Sequence, residues 1–207
     1  MGRSGPQWLS SAALLTIVFA ALAAAIGSAP AQQPATGDTD LAQRATKARE
    51  LTHLYRERLK VGIQQAIKES GVVGAIGACN TLAPELNATL TDGTTFELAR
   101  TALRVRNPEN TPDAWEQPVL EQLQKTIENG ADAKTLETFD VVTTTEGQRQ
   151  FRYMQPIMMG ELCLACHGTN VAPDVKAEIA KYYSDDKATG YSIGEMRGAF
   201  SLVQQMD

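Results

Sequence analysis

The segment Cys163-Leu164-Ala165-Cys166-His167 constrains this chain more than any other feature, because it brings two thiols and an imidazole close together. Cys-x-x-Cys-His is the attachment signature of a c-type haem. Each thiol forms a thioether with one vinyl group of the porphyrin, and the two intervening residues match the distance between those vinyl groups. The adjacent histidine then becomes the proximal iron ligand. The segment therefore predicts one covalent haem c, held by Cys163 and Cys166, with His167 on the iron.

Other uses of a Cys-x-x-Cys pair fit this sequence less well. A disulfide between Cys163 and Cys166 is the ordinary expectation for an exported protein. A redox-active pair usually opens a helix after a strand in a βαβ unit, and the residue pattern indicates no such unit. A zinc site needs further ligands, and His53 and Cys79 are the only other His and Cys residues. Haem attachment is the favoured interpretation.

The N-terminus has the pattern of an export signal. Arg3 precedes a long apolar run at residues 12–26, and Ala29-Pro30-Ala31 offers the Ala-x-Ala pattern that signal peptidase reads. An uncleaved membrane anchor is the alternative, but the run is short for a membrane span. We therefore predict a signal peptide at residues 1–31 and a periplasmic protein, and c-type haem is attached in that compartment.

The charge balance argues against two classes of partner. The chain has 19 Lys and Arg residues against 24 Asp and Glu residues, which gives a formal net charge of −5. Nucleic-acid recognition requires a basic surface, and electrostatic attraction to a membrane requires a polybasic segment. We expect neither nucleic acid nor, after signal cleavage, a membrane to be a partner.

The sequence after the predicted signal peptide indicates a flexible leader at residues 32–40, which is rich in Pro, Gly, Thr and Asp. It also predicts a single domain at residues 41–207. Apolar residues recur every three or four positions from Leu41 to Ile67. This spacing indicates a long amphipathic helix that ends near Ser70-Gly71. A second helix is predicted to follow it.

The second helix carries Cys79 on its apolar face, and Pro84 is predicted to kink or end it. Residues 99–106 alternate in polarity and predict a half-buried strand. The further predictions are a helix at 115–129, hairpin strands at 138–144 and 149–157, a helix at 174–183 with Tyr182 inward, and a last strand at 198–204. The predicted fold class is α+β, with helices on one face of a small antiparallel sheet.

A haem iron usually has a second axial ligand. His53 is predicted to be exposed because it lies opposite the buried stripe of its helix. Methionines more commonly fill gaps in a hydrophobic core than bind a metal, and those of this chain fit that use. Cys79 faces the core, where the alternative to iron ligation is a buried, inert thiol. The candidates are therefore Cys79, His53, Met154, Met158, Met159, Met196 and Met206.

Three further residues are candidate haem contacts. Arg104 and Arg106 lie on the predicted outer face of their strand, where one could pair with a haem propionate. An ordinary solvated strand face explains both arginines equally well. Tyr153 precedes the haem motif on a predicted strand, and it packs either against the porphyrin or in the plain core.

Several segments resemble the Tll0287-like haem domain family in the right order along the chain. The resemblance implies a PAS-like fold, with a long N-terminal helix and flanking helices around the antiparallel sheet. It also implies axial ligation by the motif histidine and a cysteine, which match His167 and Cys79. The segments are 75–84 (AIGACNTLAP), 103–116 (LRVRNPENTPDAWE), 163–168 (CLACHG) and 194–201 (GEMRGAFS).

Together these observations predict a periplasmic monohaem cytochrome c that transfers electrons to an unidentified redox partner and is not an enzyme. A haem-based sensor of redox state or of a diatomic gas is the alternative. An anionic thiolate stabilises ferric iron, yet it leaves easily on reduction, which would suit a switch. The lack of a signalling region in this chain favours the electron carrier. Peroxidase-like catalysis fits least, because no distal histidine is predicted.

Overall fold

The computed structural model describes residues 1–2 and 36–206, apart from the side chains of residues 36–38 and 79. The chain divides into two units, Met1–Pro34 and Ala35–Asp207. The predicted signal peptide, apart from residues 1–2, and the first part of the leader lie outside the described residues. Within the described ranges, no helix combines the length and apolar character needed to cross a membrane.

The long N-terminal helix α1 spans Thr36–Thr91 and is interrupted at Gly71. Gly71 has a φ of 70° and a ψ of 177°, which is a conformation that a residue without a Cβ adopts readily. The predicted boundary between two helical segments near Ser70-Gly71 is therefore confirmed. The chain remains helical on both sides of this glycine.

Both outer limits of α1 differ from the prediction. The helix begins at Thr36, so the end of the predicted flexible leader is helical, and an Asp40–Arg44 ion pair stabilises its early turns. The helix also continues past Pro84. Proline removes one backbone hydrogen bond, but Ala83 and Leu90 on either side of it are buried in the main core cluster, so packing maintains the helix.

Four antiparallel strands form one sheet in the order β1-β4-β3-β2. The strand predicted at 99–106 spans Phe96–Thr101 instead. Arg104 and Arg106 lie beyond its end and contact Lys187 and Asp186. The predicted hairpin and the predicted last strand are confirmed. The strands are β1 (Phe96–Thr101), β2 (Thr138–Thr143), β3 (Arg149–Met158) and β4 (Met196–Met206).

Helices cover both faces of the sheet, so the prediction of one covered face was wrong. On one face, Phe151, Tyr153 and Phe200 of the central strands pack in a single cluster with Tyr55 of α1. On the other face, Met154 and Ala199 pack against α2 (Glu116–Glu128). Successive residues of β3 are buried because the two central strands contact a helix on each side.

A 3-10 helix spans Pro108–Asn110, and two short α-helices carry the haem motif and residues near it. Helix α3 (Glu161–His167) contains the whole motif and was not predicted. Helix α4 (Pro173–Tyr182) confirms the predicted helix at 174–183, but Tyr182 is 46% exposed instead of inward. The predicted α+β class, an antiparallel sheet with flanking helices and a long N-terminal helix, is confirmed.

Candidate haem site

The two motif cysteines lie on α3 and are half-buried, and no disulfide joins them. Cys166 packs against a cluster formed by α1 and α4, which includes Ile76 and Val175. Cys163 packs against a different cluster, which includes Met159 and Tyr191. Helix α3 contains no fully buried residue, so both thiols lie in a surface helix that is anchored on two sides.

The imidazole of His167 is oriented by a short contact between Nδ1 and the backbone oxygen of Ala188, at 2.6 Å. Arg197 Nε lies 3.3 Å from the same ring nitrogen. A single nitrogen cannot donate to Ala188 and accept from Arg197 at once, and the shorter contact assigns the proton to Nδ1. The Nε2 lone pair is then available for a metal, in the usual arrangement of a metal-binding histidine.

The environment of His167 favours a neutral ring. Burial lowers its pKa well below the ordinary value, and the charges of Arg197 and Arg106 lower it further, while the Ala188 hydrogen bond opposes them. Only the neutral imidazole can donate a lone pair to a metal. Two backbone hydrogen bonds, from Tyr191 to the oxygen of His167 and from Gly190 to the oxygen of Gly168, tie the motif to the following loop.

Arg106 connects the end of α3 to the segment that orients His167. Its Nη2 donates to the backbone oxygen of Cys166 at 2.6 Å and pairs with Asp186 at 2.9 Å. Asp186 in turn accepts from the backbone N–H of Ala188 at 2.9 Å. Arg106 was predicted as a candidate haem contact, and the structure shows its guanidinium bound to these protein groups.

Arg104, the second predicted arginine, is exposed, and its guanidinium lies 4.0 Å from the centre of the Tyr191 ring. Tyr191 meets the His167 ring edge-on, with 6.5 Å between the ring centres. The Tyr191 ring therefore separates Arg104 from His167. Its Nε also donates to the backbone oxygen of Lys187 at 3.4 Å.

The sequence interpretation did not assign Arg197, Tyr191, Asp186 or Ala188 to the site. Arg197 belongs to the Gly194–Ser201 segment that carries the family resemblance, and this was the one signal that could have identified it. Ala188 contributes only a backbone oxygen to His167, so its side chain holds no information about this contact.

Tyr153, the third candidate haem contact, lies fully buried in the core between α1 and the sheet. Its hydroxyl donates to Glu137 Oε2 at 2.9 Å. Burial raises the pKa of this phenol, and the hydrogen bond and charge of Glu137 raise it further. The cluster around Tyr153 does not include the motif cysteines, which pack in two other clusters.

The candidate sixth ligands lie in different parts of the fold. His53 is exposed, as predicted. Met154 and Met196 are in the α2-side core, with Met158 against it, whereas Met206 packs on the α1-side core. Met159 is buried beside Cys163. The side chain of Cys79 lies outside the described residues.

The backbone position of Cys79 can nevertheless be related to the motif. Val72 and Ile76 of α1 pack in one cluster with Cys166. Residue 79 follows Ile76 by three positions and Val72 by seven, which is the spacing of residues on one helix face. The donors that the structure describes fit a haem, because α3 carries two thiols and an oriented neutral imidazole, and residue 79 belongs to the helix whose Val72 and Ile76 pack with Cys166.

A family model for Tll0287-like proteins matches residues 30–204. The chain belongs to the Tll0287-like family. Among solved structures, it is similar to the crystal structure of the cyanobacterial heme-protein Tll0287, with 18% sequence identity and a TM-score of 0.56. That match covers 85% of this chain and 98% of the other, and it shows a shared fold. No curated protein matches the chain.

Proposed function

We propose that this Tll0287-like protein is an exported, periplasmic c-type cytochrome that transfers electrons. Cys163 and Cys166 hold one haem, and His167 and Cys79 are its axial ligands. When bound, the haem supplies an iron that alternates between the ferric and ferrous states. The hydrogen bond from His167 Nδ1 to Ala188 carries the proposal, because it leaves Nε2 available as a ligand. The similar solved protein is described as a heme-protein, which supports this assignment.

The contacts around His167 suit an electron carrier. Arg106 donates to the backbone oxygen of Cys166 and pairs with Asp186. Asp186 accepts a hydrogen bond from the backbone N–H of Ala188, the residue that orients the imidazole. An axial ligand that is held from several sides changes position little between oxidation states. The surface position of α3 also supports electron exchange, because it gives a partner protein access to this part of the chain.

Cys79 is the proposed sixth ligand, supplied as a thiolate. The family resemblance points to this residue, and so does its position on the α1 face whose Val72 and Ile76 pack with Cys166. In the proposed site both motif thiols form thioethers, so Cys79 has no cysteine left for a disulfide in an oxidising compartment. Metal binding would keep its thiol deprotonated and protect it from oxidation.

Replacing Cys79 by Ser is expected to change the state of the ferric iron. The wild-type protein should give a low-spin EPR spectrum of the thiolate–imidazole type. The Cys79→Ser variant should shift towards high spin or water ligation and should have a higher reduction potential, because an anionic donor is lost. The exposed His53 offers a matched control, and His53→Ala should leave both measurements unchanged. An unchanged spectrum in Cys79→Ser would exclude this ligand.

The electron carrier and the sensor predict different responses to carbon monoxide. A carrier keeps both axial ligands on the ferrous iron, so we expect fast, reversible electrochemistry and little carbon monoxide binding at equilibrium. Absorption spectra of the reduced protein, recorded with and without the gas, measure this directly. Tight binding of carbon monoxide to the ferrous protein would contradict the carrier and favour a haem-based sensor.

A further inference from the structure

A cavity of about 280 Å³ lies between the last turn of α2 and the turn that precedes β4. Its wall includes two arginines from the surroundings of His167, Arg104 and Arg197, and the Tyr191 ring that both arginines contact. The two motif cysteines and His167 do not line it. The cavity is therefore adjacent to the candidate haem site but separate from it.

Arg197 has hydrogen-bond donors that the described residues do not satisfy. Its Nη1 donates to the backbone oxygen of Arg104 at 3.1 Å. Its Nε points at His167 Nδ1, but that nitrogen already carries the proton donated to Ala188. None of the ion pairs formed within the described ranges includes Arg197. Arg197 is half-buried, and none of its guanidinium atoms is both fully buried and unpaired, so its remaining donors are accessible to a ligand.

Two arginine side chains meet at this cavity. The guanidinium carbons of Arg104 and Arg197 lie 4.0 and 5.6 Å from the centre of the same Tyr191 ring. Burial lowers the pKa of Arg197, and the charges of Arg106 and Arg100 lower it further, while Tyr191 and Asp186 oppose them. Arg104 also forms no ion pair within the described part of the chain. An anion at this position would offset the repulsion between these groups.

The remaining polar wall restricts the charge of the ligand. Glu128 and Glu195 also line the cavity. Glu128 accepts from the Gln124 amide at 2.9 Å, and Glu195 accepts from the backbone N–H of Ser192 at 2.9 Å. Each carboxylate accepts a hydrogen bond within its own segment, and within the described residues neither forms an ion pair with Arg104 or Arg197. Their charge disfavours a dianion, whereas a single planar carboxylate matches the geometry of a guanidinium.

We propose that Arg104 and Arg197 form a binding site for one carboxylate, next to His167, whose Nδ1 lies 3.3 Å from Arg197 Nε. Two sources share this chemistry: a propionate of the haem and a free small monocarboxylate. The first source rests on the proposed function, and the second does not. Because Arg197 contacts the His167 ring, occupancy of the site changes the surroundings of the proximal ligand.

Titration of the haem-loaded protein with sodium propanoate, at an ionic strength held constant with sodium chloride, tests the free ligand. If the site takes a free carboxylate, propanoate should raise the melting temperature and shift the haem absorption band in a saturable way. Arg197→Met and Arg104→Met should each weaken this binding at least tenfold, and Arg197→Lys should weaken it less. Arg58→Met, which changes an exposed arginine on α1, should bind as the wild type does.

If the site holds a haem propionate, propanoate should have no effect, because the site is already filled. Resonance Raman bands of the porphyrin propionates should then shift in Arg197→Met and remain in place in Arg58→Met. The proposal is overturned if propanoate does not bind and these bands are the same in all variants. Should the purified protein lack haem, the proposed function fails, and propanoate-dependent melting still decides whether a free carboxylate binds.

Discussion

Replacing both Cys163 and Cys166 by Ala is expected to abolish covalent haem attachment completely. The wild-type protein, matured in a host with c-type assembly machinery, should keep its haem in the protein fraction after extraction with acidic acetone. The thioethers are carbon–sulfur bonds that acid does not break, whereas loss of both thiols leaves only ligand contacts that acid removes. Absorption spectra of the pellet and the extract measure the distribution of the haem.

Single variants and a matched control sharpen this experiment. Cys163→Ala and Cys166→Ala each leave one thiol, so a reduced fraction of haem should stay with the protein. Ala165→Ser alters the residue between the thiols without removing either, and it should retain haem as the wild type does. Complete release of haem from the correctly matured wild-type protein would refute covalent attachment. Retention by the double variant would show that another residue forms the bond.

Replacing Arg152 by Met is expected to cause a large loss of stability. The Arg152 side chain is only 8% exposed and pairs with Asp113 at 2.7 Å and with Glu116 at 3.4 Å. It also lies 4.8 Å over the Trp115 ring. Asp113 is half-exposed, but the Glu116 carboxylate is buried, and leaving a buried charge unpaired costs about 3–5 kcal/mol in the free energy of unfolding. Urea denaturation of the two proteins measures this difference.

The same residues begin helix α2, which explains why the loss should be large. Asp113 accepts from the backbone N–H groups of Trp115 and Glu116, and Glu116 accepts from the backbone N–H of Asp113. This is a reciprocal capping box. Arg152 joins it to β3 of the sheet. The Asp-x-Trp-Glu part of the family segment therefore has a structural role at the start of the helix.

Two further measurements separate the charge effect from lost packing. The Arg152→Met/Glu116→Gln double variant removes the unpaired charge and should recover part of the stability. Arg149→Met changes an exposed arginine in the same strand and should cost less than about 0.5 kcal/mol. Equal losses in Arg152→Met and in the double variant would contradict an unpaired-charge mechanism.

The capping box also predicts how stability depends on pH. Burial alone would raise the pKa of Asp113, but hydrogen bonds from the Glu116 backbone and from Arg152 outweigh it and lower the pKa. The stabilisation from Asp113 is therefore present above its unfolded pKa, and it is lost as the pH falls through the folded value. This acid dependence should be smaller in Arg152→Met, because one of the interactions that lower the pKa is removed.

Local patterns were sufficient for most elements of the fold. Neighbouring residues determine the helical spacing of α1, its interruption at Gly71, the β2–β3 hairpin and helix α2. The structure confirms each of these predictions. Two of the errors occurred where distant contacts override local preference. Packing carries α1 past Pro84, and a helix on each face buries consecutive residues of β3, so strict alternation does not apply there.

The sequence alone determined the haem prediction, because the chemistry of Cys163, Cys166 and His167 depends on their spacing within one segment. Only the tertiary structure decided what surrounds that segment. Three contacts join residues that are far apart along the chain. His167 contacts the backbone oxygen of Ala188, Arg106 bridges Cys166 and Asp186, and Arg197 lies against the His167 ring. A residue's type specifies what its side chain can bind, whereas the folded chain decides which distant groups come within hydrogen-bonding distance of it.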